Sequence, residues 1–262
     1  MQLIILNCVT GLANRLNNII NIEYISRFFP KAIFYIWWPT NNHFALDLNS
    51  VLDIKKTYPN INCLQISNRD LVEYKRKATW IEVNKKDITK WPKIVYITSY
   101  HLINESDATI IKRIVWVPNI ENRVTNIMKL HNIDNNTTSI HVRFGDLLQL
   151  VCDNKNIDIN KVKLELINKV KQLNKSFLAT DDPKLSNMMS HQHIVITKTF
   201  PQTINRIQTH RSVDACLDGI IDFIILTRTR MIFCTSYSDY SKLAWKSHGN
   251  LSYTEDLFLT AI

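Results

Sequence analysis

The chain has 262 residues, 45% of them hydrophobic and 21% charged, with a formal net charge of +9. That length suits one large domain or two compact ones with a sizeable core. The positive charge is either a solvated basic surface or the mark of an anionic partner, and the lysines are scattered. The nearest approaches to a run are Lys55-Lys56, Lys75-Arg76-Lys77 and Lys85-Lys86, which ranks a small phosphorylated ligand ahead of nucleic acid.

Gln2 to Cys8 is an apolar run of strand length, Val9 to Asn14 is a loop carrying Gly11, and Leu16, Ile19, Ile20, Tyr24 and Phe28 then recur at helical spacing. This opening is too short for a membrane span and lacks a leading positive region, so neither a signal peptide nor a transmembrane segment is expected. The sequons Asn104-Glu105-Ser106 and Asn250-Leu251-Ser252 are accordingly expected to be silent. Ala32 to Trp38 is a second candidate strand, residues 41 to 93 hold short apolar pieces between polar loops, Ile94 to Ile97 suits a buried strand and Ile120 to Leu130 a helix.

The second half alternates more plainly. Strands are expected at Thr138 to Arg143, Ser176 to Ala179, Ile194 to Ile196 and Met231 to Cys234. Helices are expected at Ile159 to Leu173, from Pro183, at Ser212 to Leu226 and at Tyr240 to Lys246. Strands alternating with helices imply parallel βαβ units, hence an α/β fold. The boundary is expected in the polar stretch Asn132 to Thr137, giving domains 1–135 and 136–262. Five widely spaced cysteines, Cys8, Cys63, Cys152, Cys216 and Cys234, form no CxxC pair. They speak against a disulfide framework or a zinc site and fit a reducing, cytoplasmic setting.

In open parallel sheets, ligands sit beyond the carboxyl ends of the strands, and four such ends stand out. His141 and Arg143 share strand parity before Gly145 and Asp146. Either Arg143 forks onto a phosphate or it pairs with Asp146. Asp181 and Asp182 follow the next strand and precede Pro183; either can cap the helix, and the chain contains no D-x-D triplet that would suggest a bound cation. Asp214, Asp218 and Asp222 share a helix face, and the turn Thr235-Ser236-Tyr237-Ser238-Asp239 offers hydroxyls at a helix start, which suits a phosphate. Gly11-Leu12-Ala13-Asn14-Arg15 is neither G-x-G-x-x-G nor a Walker A motif.

Together these segments resemble the GDP-fucose-dependent fucosyltransferase superfamily. The likeness rests on His141-Val-Arg143-x-Gly145-Asp146, on Leu178-Ala-Thr-Asp-Asp182-Pro-x-Leu185 and on Leu217 to Trp245, in that order, with Gly11 to Arg15 similar to its N-terminal loop. It is good over residues 138 to 246 and thin between 30 and 130. The resemblance implies a GT-B fold of two Rossmann-like domains with parallel sheets facing a cleft. It also implies a GDP-fucose donor, inversion at the sugar, a glycan acceptor and no metal or other cofactor. By that likeness Arg143 holds the β-phosphate, His141 and Asp222 contact guanine, Asp181 and Asp182 shape the donor site, Tyr237 and Ser238 contact phosphate, and Asn14, with Gly11 and Arg15 beside it, serves the diphosphate. Phe144 stands where many relatives carry a second arginine. Glu23 and Asp146 are candidate general bases, and neither is assigned.

Overall fold

The computed structural model describes residues 2–82, 88–99, 102–205, 208–248 and 255–256; the Lys85-Lys86 pair and the Asn250 sequon lie outside them. The chain divides into two compact units, Met1–Pro118 and Asn119–Ile262.

In the first unit, β1 (Leu3–Asn7) leads through a short loop into α1 (Leu12–Phe28), and β2 (Ile33–Trp37) follows. Then come α2 (Ile54–Thr57), β3 (Asn62–Gln65), α3 (Asn68–Lys75), β4 (Thr79–Glu82) and β5 (Ile94–Thr98). The five strands form one parallel sheet in the order β3-β2-β1-β5-β4. β1 and β5 are the apolar, buried centre, as continuous Leu-Ile-Ile-Leu and Ile-Val-Tyr-Ile runs require of strands covered on both faces. The α1 helix is buried on most of its circumference, including Arg15, Asn17, Asn18 and Asn21. Polar side chains at that depth must be bonded. Asn18 Nδ2 donates to the Ser99 and Asn14 carbonyls, both at 2.9 Å, and Asn21 Oδ1 accepts from the Ile103 N–H.

The second unit begins with α4 (Pro118–Leu130) and β6 (Thr138–Val142). It continues through α5 (Asp146–Lys155), α6 (Ile159–Gln172), β7 (Phe177–Thr180) and α7 (Pro183–Met189). The antiparallel pair β8 (Gln202–Asn205) and β9 (Gln208–His210) precedes α8 (Val213–Arg228), β10 (Met231–Cys234), α9 (Asp239–Lys246) and β11 (Glu255–Asp256). The parallel order is β11-β10-β6-β7. β6 therefore pairs with β7 on one side and with the distant β10 on the other, and this reversal of strand order is the usual ligand position in such sheets. Ile140, Val142, Leu148, Val162, Leu166, Val170 and Leu178 make the core under it.

In the second unit α4 is tied to α8 by Arg123–Asp218 (3.3 Å) and Arg228–Glu121 (2.8 Å). One expectation is corrected. The strand expected at Ile194 to Ile196 contracts to one parallel bridge, Phe177 with Ile194. Among the described residues no helix is long and apolar enough to cross a membrane.

Candidate functional site

The β6 end is held from both neighbouring strands. The Arg143 N–H donates to Thr235 Oγ1 (3.2 Å), just past β10, and Tyr237 Oη donates to the Arg143 carbonyl. From the β7 side, Asp181 Oδ1 accepts the Phe144 N–H (2.7 Å) and Oδ2 accepts the Gly145 N–H (3.0 Å). The same Oδ2 lies 2.7 Å from Arg143 Nη1, with both side chains mostly buried. Burial alone would raise the Asp181 pKa, but Arg143 and the two backbone donors outweigh it and hold the carboxyl below its usual range. Asp181 is thus ionised near neutral pH and fixes the direction of the guanidinium. Gly145 caps α5, and its lack of a side chain serves Asp181: an added Cβ would lie 2.5 Å from Oδ2.

One strand position back, His141 is buried. Its Nδ1 is 2.5 Å from Ser241 Oγ, and its ring lies 4.7 Å from the Tyr240 ring. Burial, aided by the nearby Arg143 and Lys198 charges, depresses its pKa to about 3, against a smaller opposing pull from Asp181. The imidazole is neutral near pH 7 and offers one donor and one acceptor. Tyr240 Oη donates to the Gly219 carbonyl at 2.7 Å and so ties α9 to α8. Within α8, Asp222 is buried and pairs with Lys198 Nζ at 2.5 Å, the two side chains being 9% and 7% exposed. Burial holds the Asp222 carboxyl above the usual range against the pull of Lys198.

The remaining sequence candidates divide between support and surface. Asp182 caps α7 by accepting the Leu185 N–H at 2.8 Å, the simpler of its two expected roles. Ser238 is buried at the start of α9 and makes no side-chain cap bond there. Asp218 binds Arg123 and accepts the Thr199 N–H (2.8 Å), while Asp214 stays exposed.

In the first unit, Gly11 caps α1 in ordinary extended backbone. No described atom comes within 4 Å of where its Cβ would be. Asn14 Oδ1 is buried without a partner among the described residues. Arg15, also expected at the donor, closes the same loop. It is fully buried, donates to the Thr10 (2.6 Å) and Pro39 (2.8 Å) carbonyls, and lies about 5 Å from the centres of the Trp38 and Phe44 rings. Its guanidinium fastens two loops and faces the interior. Glu23, a candidate base, is held by Arg113 at 2.7 Å and Arg27 at 3.6 Å.

Lys198 and Ser241 escaped the sequence reading as functional residues. Lys198 is one lysine in a polar loop, and only the buried Asp222, in need of a cation, hinted at such a partner. Among the described residues no group of three or more His, Cys, Asp and Glu side chains could hold a metal ion.

No protein-family profile matches the chain, and no curated protein sequence matches it significantly. Solved structures do. NodZ α-1,6-fucosyltransferase co-crystallized with GDP is 14% identical with a TM-score of 0.56, over 93% of this chain and 91% of that one. Fucosyltransferase NodZ from Bradyrhizobium gives 13% and 0.57 over the same shares. POFUT1 in complex with GDP is 8% identical with a TM-score of 0.59, over 97% of both chains. The chain has the α/β, GT-B fold of these fucosyltransferases.

Proposed function

We propose that the chain is an inverting glycosyltransferase that moves fucose from GDP-fucose to a glycan acceptor without a metal. The observation that carries this reading is the Arg143 guanidinium, oriented by Asp181 at the strand-order reversal of the second unit. Support comes from the similar fold of proteins crystallized with GDP or GDP-fucose. In this reading Arg143 contacts the β-phosphate and His141 and Asp222 contact the base. Tyr237 and Ser238 line the phosphate side, with Gly145 and Asp182 shaping the turns beneath.

The chemistry is a single displacement. The acceptor oxygen forms a bond to the sugar C1 from the face opposite the diphosphate, the bond from C1 to the β-phosphate oxygen breaks, and the acceptor proton passes to a base we leave unassigned. Negative charge grows on the β-phosphate as that bond breaks. A fixed guanidinium at that oxygen binds the transition state more strongly than the ground state. The neutral His141 can accept or donate at a base edge without adding charge.

The experiment is donor hydrolysis over a panel of GDP-, UDP- and ADP-sugars, with and without EDTA, followed by a glycan acceptor array. Preferential turnover of GDP-fucose that survives EDTA is expected. Preference for another sugar nucleotide would reassign the donor, and EDTA inhibition reversed by Mn²⁺ would overturn the metal-free part.

A further inference from the structure

The ion pair between Lys198 and Asp222 is an uncommon feature of this unit. A lysine 7% exposed and an aspartate 9% exposed meet at 2.5 Å, where burial penalises both charges and only good mutual geometry offsets the cost. The segment bearing Lys198 is fastened twice to α8, by this pair and by the Thr199 N–H on Asp218 (2.8 Å). Lys198 Nζ also lies 5.5 Å from the Phe200 ring centre. The pair adjoins the β6 end: the Lys198 charge acts on His141 and the Asp222 charge on Tyr240, whose ring packs at a tilt against His141, 4.7 Å between centres.

Resting on the reading that this end of the sheet takes the base of a nucleotide-sugar donor, we infer that Lys198 and Asp222 together read that base. Lys198 donates to the 6-oxo oxygen of a 6-oxopurine and Asp222 accepts its N1–H. An ammonium has three N–H donors, and Asp222 takes one of them. Side by side, the two groups present a donor and an acceptor, the complement of the oxygen and N–H that a 6-oxopurine carries on adjacent atoms. Adenine presents the reverse, an amino donor and a bare ring nitrogen, so its amino group would face the ammonium and its lone pair the carboxylate. An aspartate reading guanine by itself would turn both oxygens to N1–H and the 2-amino group. Here Oδ2 is engaged by a buried ammonium, which holds it toward Lys198 and leaves Oδ1 for the N1–H. The lysine therefore moves discrimination from the 2-amino group to the 6-oxo group.

The consequence is specific. The chain should bind inosine diphosphate, which lacks the 2-amino group, within about threefold of GDP, and ADP at least about a hundredfold more weakly. Titration calorimetry on the full wild-type chain measures all three. The variant Lys198→Met should weaken GDP and IDP together by about tenfold or more and leave ADP unchanged, with circular dichroism confirming that it is folded. If that variant does not fold, the wild-type comparison alone decides. GDP binding tightly while IDP binds tenfold or more weakly would overturn the lysine's role and leave the donor reading standing. Equal affinity for GDP, IDP and ADP would overturn both.

Discussion

Gly145 and Asp181 are fitted to one another: a Cβ on Gly145 would lie 2.5 Å from Asp181 Oδ2, while the Gly145 N–H donates to that same oxygen at 3.0 Å. The carboxylate that directs Arg143 thus also dictates which residue can precede α5. Gly145→Ala should force Asp181 off both backbone donors. Overpacking of this kind costs about 1–3 kcal/mol, and turnover should fall with it. Chemical denaturation measures the first effect; an alanine variant as stable as wild type would show that the carboxylate can move freely.

Arg143 carries two separable burdens, because its partner is a buried carboxylate. Losing a positioned donor to a developing oxyanion typically costs about 10²–10³ in rate. Removing one member of a buried pair costs about 3–5 kcal/mol of stability. Arg143→Ala should show both losses. Arg143→Lys keeps the charge beside Asp181 but loses the planar fork, so it should recover most of the melting temperature and little of the rate. Turnover per folded molecule separates the two, and a lysine variant with near-normal turnover would remove Arg143 from the chemistry.

His141 should make the protein acid-sensitive. Its folded pKa is depressed to about 3, whereas in the unfolded chain it titrates near 6.5. Between these values the unfolded state binds more protons, so stability falls as pH drops, by about 1.4 kcal/mol per pH unit from this residue. His193, also shifted down, acts in the same sense, and Asp222, shifted up, acts in the opposite one. The readout is therefore the difference between wild type and His141→Asn. The variant should have the shallower slope of unfolding free energy between pH 6.5 and 4, and parallel slopes would refute the burial argument.

Arg15→Met should damage stability and spare the donor. The Thr10 and Pro39 carbonyls would lose their guanidinium donor, and each buried acceptor left unpaired costs about 1–3 kcal/mol. The melting temperature should fall, while GDP affinity per folded molecule stays within about threefold of wild type. A large loss of affinity in a variant of unchanged stability would restore Arg15 to the binding residues.

The parallel α/β plan was legible because it is written in contiguous signals. The apolar runs of β1 and β10 stand as expected, and so does the periodicity of α6, with Val162, Leu166 and Val170 buried. The middle of the first unit was not, since β3 is an edge strand with an exposed, polar pattern that no alternation marks. Helix α5 was passed over although Leu147, Leu148, Leu150 and Val151 follow Gly145. In the site, the strand-end position of Arg143 was readable but its partner was not. Asp181 is 38 residues away and reaches the arginine only because β6 and β7 are neighbours. The surroundings of Arg15 were equally illegible. A charge beside a glycine loop suggests a ligand, and only tertiary structure reveals the aromatic rings and carbonyls that absorb it.

The strand order of the second unit has a consequence for synthesis on the ribosome. β6 and β7 can pair once residue 180 has emerged, but the other flank of β6 waits for β10, about fifty residues later in the chain. Until Thr235 and Tyr237 arrive, the Arg143 backbone lacks both of its contacts from that side, and His141 lacks Ser241. Pairing over such separations is slow, and an unpaired strand edge invites aggregation. A nascent chain halted near α7 would thus present one flank of its central strand bare, the stage at which a chaperone would find most to hold.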